Sequence, residues 1–286
     1  MKKFMFFMAA AAICLLSSCE KAILSEEKEE NVSDFETEKV TLTFSPVTVT
    51  TDAMMRTATD VSTIITRLDV WIVEGDNVTE VHQSSTDTGF GTMTVELNKT
   101  KTYTLYACGH KANGPATLTN GVIAFPEEKV THSFFSTVNF SPATTTEIEC
   151  SMNRIVGMFR FETTDAIPNE VTKFRFLIPQ TFTRWNVAGY GANAIDRTSD
   201  VNITSRRDDG SAAFTLYIIG SSTETNYDIT VQALDSQDGI IQQRLFEGVP
   251  IRNNWKTTLA GTFFVSESVS MSFVADDWST YDTIGY

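Results

Sequence analysis

Few residues in this sequence are of the types that catalysis or metal binding needs. The chain has three histidines, His82, His110 and His132, each isolated from the others and from any cysteine pair. A zinc site needs converging ligands, and this spacing does not supply them. The sequence also lacks a GxSxG elbow, a phosphate-binding loop and a dinucleotide fingerprint. We therefore expect no enzymatic activity, no bound metal and no cofactor.

Basic residues are also scarce. Lysine and arginine together number 22, against 36 aspartates and glutamates, which gives a formal net charge of −14. Proteins that bind nucleic acid present a basic surface to the phosphates. The acidic balance thus argues against nucleic acid as a partner.

Only one long hydrophobic run is present, and it lies at the N-terminus. Lys2 and Lys3 precede an apolar run, residues 4–16, which ends at the small residues Ser17 and Ser18 followed by Cys19. The run is shorter than the roughly 20 residues that span a bilayer. The pattern is typical of a lipoprotein signal, with cleavage between Ser18 and Cys19 and acyl chains, such as palmitate, on Cys19. We expect a signal peptide over residues 1–18.

The next segment, residues 19–38, is expected to be a solvated tether. From Glu20 to Glu38 it carries eight acidic residues and two lysines, with few large apolar side chains to form a core. The signal peptide and the lipid account for Cys14 and Cys19, so Cys108 and Cys150 remain for the folded body. An oxidising compartment would allow these two to pair, but their apolar contexts favour buried thiols.

The first strand and the loop after it organise the rest of the chain. Val40, Leu42 and Phe44 alternate with polar residues, and the alternation resumes at Val47 and Val49 after a proline, which predicts a strand with one bend. The following loop, residues 51–66, contains one basic residue, Arg56. We interpret residues 40–50 as a removable strand and the Arg56–Thr57 bond as its cleavage point. Arg67 is the less favoured site because it adjoins the next strand.

About fourteen short strands with frequent turn signals follow one another, and no amphipathic helix is evident. This pattern predicts an all-β protein of two tandem antiparallel β-sandwich domains, over residues 39–151 and 152–286. The stretch 179–201 is expected to be an irregular loop. Trp185 and Tyr190, which lie in it, are the candidate ligand contacts.

Three features together resemble the fimbrillins of Bacteroidales, the type V pilins. They are the cysteine at the end of the signal, the succession VTLTF, MMR and LDVWIV, and the closing segments NNWKTTLAGTFF and VADDW. The resemblance implies sandwiches of the transthyretin-like, Greek-key type and a lipoprotein of the bacterial outer membrane, exposed at the cell surface. It implies a subunit of a fimbrium with a role in cell adhesion.

The same resemblance implies a mechanism of assembly. An arginine-specific protease would cut after Arg56, and a strand from another fimbrial subunit would fill the vacated groove by donor-strand exchange. The expected partners are that protease, other fimbrial subunits in a homo- or hetero-polymer, the outer membrane through the lipid, and a host or bacterial surface receptor.

Two alternatives stay open. An anchor subunit would keep its lipid and its first strand. A surface glycan-binding lipoprotein would share the signal, the acidic tether and the tandem β domains, and would use exposed aromatic residues such as Trp185 or Tyr190.

Overall fold

The computed structural model describes residues 36–46, 61–264 and 271–277. The expectation of an all-β chain is confirmed, since these residues form seventeen strands, one four-residue helix (α1, Val61–Ile64) and one short 3₁₀ turn (Pro126–Glu128). The first nine strands are β1 (Thr37–Pro46), β2 (Arg67–Glu74), β3 (Asn77–Ser84), β4 (Thr92–Asn98), β5 (Tyr103–His110), β6 (Thr117–Thr119), β7 (Val122–Ala124), β8 (Phe134–Phe140) and β9 (Glu147–Arg154). The remaining eight are β10 (Val156–Thr163), β11 (Lys173–Asn186), β12 (Tyr190–Asn202), β13 (Ala213–Ile219), β14 (Thr225–Leu234), β15 (Ile240–Ile251), β16 (Trp255–Gly261) and β17 (Met271–Asp277).

Seven strands from the N-terminal half form one hydrogen-bonded series in the order β3-β2-β5-β8-β9-β1-β4. The series folds over a core to which β1 contributes Val40, Leu42 and Phe44 and the facing strand β2 contributes Leu68 and Val70. Residues on β2 and β5 alternate between this core and the opposite face, as period-2 strands do. The result is a sandwich-like arrangement.

The C-terminal half has a larger sheet in the order β15-β14-β11-β13-β10-β16-β17, with β12 paired to β11. Its core is rich in phenylalanine. Phe161 lies within 5.4–6.3 Å, between ring centroids, of Phe174, Phe176, Phe214, Phe246 and Phe263. Edge, tilted and stacked contacts of this kind are favourable for aromatic rings beyond the area that they bury.

The two halves repeat one strand topology. In each half the first strand runs parallel to a late one, β1 to β9 and β10 to β16, and antiparallel to the fourth, β1 to β4 and β10 to β13. The second strand pairs with the third and fifth in both, as β2 does with β3 and β5, and β11 with β12 and β14. Strand β17, which pairs with β16, is additional to the repeat.

Residues before the β9–β10 junction also contact residues after it, and this junction lies close to the predicted boundary at 151–152. The β6–β7 hairpin belongs to the N-terminal half, yet β7 pairs with β11 through Val122–Asn186, Ile123–Trp185 and Ala124–Arg184. A buried cluster likewise joins Trp71 and Phe135 to Val156 and Trp185. The division into domains at 151–152 stays a prediction.

The expected loop at 179–201 is wrong, because this stretch forms most of a long β11–β12 hairpin. The two strands pair from Lys173–Asn202 to Asn186–Tyr190, with one irregularity between Ile178 and Thr181. Gln180, inside that irregularity, has a φ of +51°, and Pro179 offers no amide hydrogen. These two residues interrupt the alternation that would otherwise indicate a strand. Within the described residues, no helix is long and apolar enough to cross a membrane.

Candidate functional site

Strand β1 is an internal strand of the N-terminal sandwich, with a hydrogen-bonded neighbour on each side. It pairs antiparallel with β4 from Thr37–Asn98 to Thr43–Thr92 and parallel with β9 from Thr41–Glu147 to Pro46–Met152. Among the described strands, β4 joins the sheet only through β1. Removing β1 would therefore unpair two neighbours at once and detach β4 from its sheet.

The inward side chains of β1 are fully packed. Val40 and Leu42 are 0% exposed and Phe44 is 3% exposed, while the intervening Thr43 is exposed. Burial of a valine, leucine or phenylalanine side chain contributes about 1.5–3 kcal/mol each, so these three contribute about 5–9 kcal/mol. Whole domains are stable by about 5–15 kcal/mol. The groove that holds β1 thus depends on an occupant with apolar side chains at alternate positions.

The remaining residues of the predicted processing region lie outside the described part of the chain. This applies to Ser18 and Cys19, to Val47 and Val49, and to Arg56 and Thr57. The structure resumes at α1, after which Ile65 is buried in the same core as β1. Arg67, the less favoured cleavage site, is the first residue of β2 and pairs with Ser84 on one side and His110 on the other.

A buried carboxylate brings together two histidines that lie far apart in the sequence. Asp69, on β2, is 0% exposed. Its Oδ1 lies 2.8 Å from Nδ1 of His82, and its Oδ2 lies 2.7 Å from Nε2 of His110. The backbone amide of Ala116 also donates to Oδ2 at 2.8 Å. The histidines are isolated in sequence, and strand pairing brings two of them to one carboxylate.

The hydrogen bonds indicate the tautomer of His110. Its Nδ1 accepts the amide hydrogen of Ala112 at 3.1 Å, so the ring proton lies on Nε2 and is donated to Asp69. The carboxylate of Asp69 thus links the segment after β5 to the face of β2 that points away from the β1 core. The described residues contain no group of three or more His, Cys, Asp or Glu side chains that could hold a metal ion, and the cluster is best understood as a structural link.

The two body cysteines are free and buried. Burial, with a smaller contribution from the nearby charge of Asp69, raises the pKa of the Cys108 thiol well above its usual range. Burial alone raises the pKa of Cys150 to about 11. A thiol needs to ionise to act as a nucleophile, so both are unreactive, in line with the buried thiols that the sequence favoured.

The two candidate ligand contacts have different environments. Trp185 lies in β11 and is 4% exposed, packed against Phe135 with ring centroids 6.1 Å apart. Its predicted place on an exposed loop is therefore wrong, and the indole packs in the cluster shared by the two halves. Tyr190, at the start of β12, is 53% exposed.

Two solved structures from Bacteroides species share this fold. A putative adhesin from Bacteroides ovatus matches with a TM-score of 0.51 at 11% identity, over 84% of this chain and 96% of its own. One of the putative polysaccharide binding proteins from Bacteroides thetaiotaomicron matches with a TM-score of 0.52 at 11% identity, over 84% and 96%. These two show that the chain has the fold of those proteins, as the resemblance predicted.

The fimbrial anchor protein Mfa2 from Porphyromonas gingivalis also matches, with a TM-score of 0.48 at 11% identity, over 85% of this chain and 98% of its own. No curated protein matches the sequence. A family model, described as a family of unknown function, matches residues 127–280. The chain belongs to this family, DUF6562.

Proposed function

We propose that this chain is a structural subunit of a cell-surface fimbria, exported as a lipoprotein on Cys19 and assembled by exchange of its first strand. The position of β1 carries the proposal. It is an N-terminal strand, buried through Val40, Leu42 and Phe44, and it is followed in sequence by a segment with one basic residue, Arg56, before Arg67. The fold shared with Bacteroides adhesins supports the same assignment.

The energetics of β1 explain why release would lead to assembly. A sandwich without β1 exposes the apolar groove and the backbone groups of β4 and β9 that β1 now pairs. Unpaired strand edges recruit other strands. A strand from another subunit that presents apolar residues at the positions of Val40, Leu42 and Phe44 would restore both the burial and the hydrogen bonds.

Cleavage is tested by treating the purified lipid-free precursor with an arginine-specific protease. The expected product begins at Thr57, as read by N-terminal sequencing, and forms polymers that resist dissociation. Arg56→Lys is the matched control, since it keeps the charge but removes the arginine. Uncut, monomeric Arg56→Lys protein is the expected result. Polymers that form equally well from that variant would overturn the proposed cleavage point.

The anchor alternative makes a different prediction for protein isolated from cells. An anchor would retain lipid on Cys19 and an intact chain, and would bind to a fimbria without first losing β1. Mass spectrometry of the native N-terminus distinguishes the two, because a start at Thr57 is expected of a polymerising subunit.

A glycan-binding surface lipoprotein is the second candidate, and an open cleft in the C-terminal half favours it. Like an anchor, such a protein would keep β1 and its lipid. Binding and strand exchange are separable by experiment, since ligand binding requires no protease.

A further inference from the structure

An open cleft lies in the C-terminal half between two strands that do not pair with each other. Its volume is about 580 Å³, and it is lined by residues 195–201 of β12, residues 215–217 of β13 and the turn at 127–131. Among the described strands, β12 pairs only with β11, and β13 meets β11 only at Ile219. The cleft therefore lies between two strand edges, and its size is that of a small-ligand site.

Arg197 extends across this cleft. Its guanidinium donates from Nη1 to the backbone carbonyl of Tyr217, 2.7 Å away on β13. Within the described part of the chain, no carboxylate lies within salt-bridge distance of it. Burial lowers the pKa of Arg197, which reflects a charge that has lost water without gaining a counter-ion. An arginine has five N–H donors, and one of them has a defined partner here.

A half-buried guanidinium without a counter-ion is an arrangement that a ligand carboxylate would complete. Its planar fork matches a carboxylate through two parallel hydrogen bonds. Arg206, in the loop before β13, is a useful contrast, since it donates to the carbonyls of Pro168 and Val171 and to the side chain of Asn169. Arg197 has donors left for a ligand in an open cleft.

The rest of the lining is suited to a polyol. Ser199 lies on the same face of β12 as Arg197, and Thr131 and Thr215 line the same cleft. Their hydroxyl groups both donate and accept hydrogen bonds. On the β13 side of the cleft, stacking on His132 holds the ring of Tyr217 in place, with the ring centroids 5.6 Å apart and the planes at 6°.

Four acidic residues line the cleft, together with Lys129, and three of the four are held by donors other than Arg197. The fourth, Glu127, is exposed to solvent. Glu128 accepts from Arg184 at 2.8 Å, and Asp200 accepts from Arg175 at 2.7 and 2.8 Å. Asp196 accepts from the backbone amide and the side chain of Gln180. Glu128, Asp196 and Asp200 therefore each have a donor of their own, and carboxylates also accept hydrogen bonds from sugar hydroxyls.

We propose that this cleft binds a saccharide that carries a carboxylate, such as a uronic acid residue, with the carboxylate on Arg197 and the ring hydroxyls on Thr131, Ser199 and Thr215. The proposal concerns the C-terminal half and does not depend on removal of β1.

The test is titration calorimetry of the intact lipid-free chain with glucuronate, glucose and acetate as separate probes. Glucuronate is expected to bind. Glucose lacks the carboxylate and acetate lacks the ring hydroxyls, so each is expected to bind at least tenfold more weakly. Arg197→Gln is expected to weaken glucuronate binding about 10–100-fold, the usual effect of losing a charge-assisted pair. Arg206→Gln is the matched control and should bind as the parent protein does.

Arg197→Lys keeps a positive charge but loses the planar fork, and should weaken glucuronate several-fold while remaining folded by thermal unfolding. It keeps the proposal testable if the glutamine variant does not fold. Equal binding of glucuronate and acetate would overturn the assignment to a saccharide. Equal binding of glucuronate and glucose, or unchanged binding by Arg197→Lys, would overturn the role of the guanidinium, and absence of glucuronate binding would overturn the site.

Discussion

Leu42 lies at the centre of β1, and its replacement by alanine tests how strongly this strand is integrated into the sandwich. Leu42 is 0% exposed, with Met93 opposite it on β4 and Ile148 beside it on β9. Leucine-to-alanine changes at such sites cost about 2–5 kcal/mol, because the lost burial is compounded by a cavity. In a chain of this size each kcal/mol lowers the Tm by about 2–4 °C, so a fall of about 4–20 °C is expected.

The assay is thermal and urea unfolding of the uncleaved precursor, with Thr43→Ala as the matched control. Thr43 is the next residue along β1 and its side chain is exposed, so its loss should cost less than about 1 kcal/mol. A loss below about 1 kcal/mol for Leu42→Ala would refute the reasoning that β1 is part of the core. If β1 leaves during assembly, fibres grown from Leu42→Ala protein should be as stable as parental fibres, since residue 42 is absent from both.

Three further predictions concern buried polar and titratable groups. Asp69→Asn should lower the free energy of unfolding by about 2–4 kcal/mol in urea, because the amide cannot accept from both histidines and Ala116 as the carboxylate does; an unchanged midpoint would contradict this. Burial, followed by the charge of Arg154, lowers the pKa of His132 from 6.5 to about 2. Below pH 6.5 the unfolded chain therefore binds a proton that the folded chain does not, and stability falls with acidification. His132→Gln should show a shallower fall between pH 6.5 and 4, and an equal slope would count against it. In the lipid-free body, Cys108 and Cys150 should react with a thiol reagent at pH 8 only in denaturant, and rapid labelling of native protein would be inconsistent with their burial.

The sequence predicted the general architecture because most of its strands alternate cleanly. Strand β1 is one example, and β9 is another, with a buried residue at every second position. Turn signals between the strands were equally clear, as at Glu74–Asn77, where β2 ends and β3 begins. Local period and turn chemistry are properties of neighbouring residues, so they can be read without knowledge of the fold.

The long β11–β12 hairpin could not be read in this way. Its interior contains Pro179, the left-handed Gln180 and a run of small residues near Gly191, each of which is typical of loops. Tertiary contact overrides these signals. In particular, the ring of Phe182 occupies the space where a side chain at position 191 would lie, with its Cγ 2.4 Å from the place of such a Cβ.

The link at Asp69 was missed for another reason. His82 and His110 lie 13 and 41 residues from Asp69, and strand pairing alone brings them together. The cleft at Arg197 likewise lies between the edges of β12 and β13, and the pairing of the whole sheet determines how far apart these two edges are. Sites of this kind leave no local pattern, whereas the proposed processing site is local and could be recognised from the order of strand, arginine and strand.

The most direct test of the account locks β1 in place with a disulfide. Thr43 and Thr92 are directly opposed on β1 and β4 and are both exposed, and opposed residues of antiparallel strands are close enough for such a bond. The Thr43→Cys/Thr92→Cys protein is treated with the arginine-specific protease before and after reduction, with Thr43→Cys alone as the control. The account predicts cleavage in both states but polymers only after reduction. Polymers formed equally well by the oxidised protein would contradict strand exchange at β1.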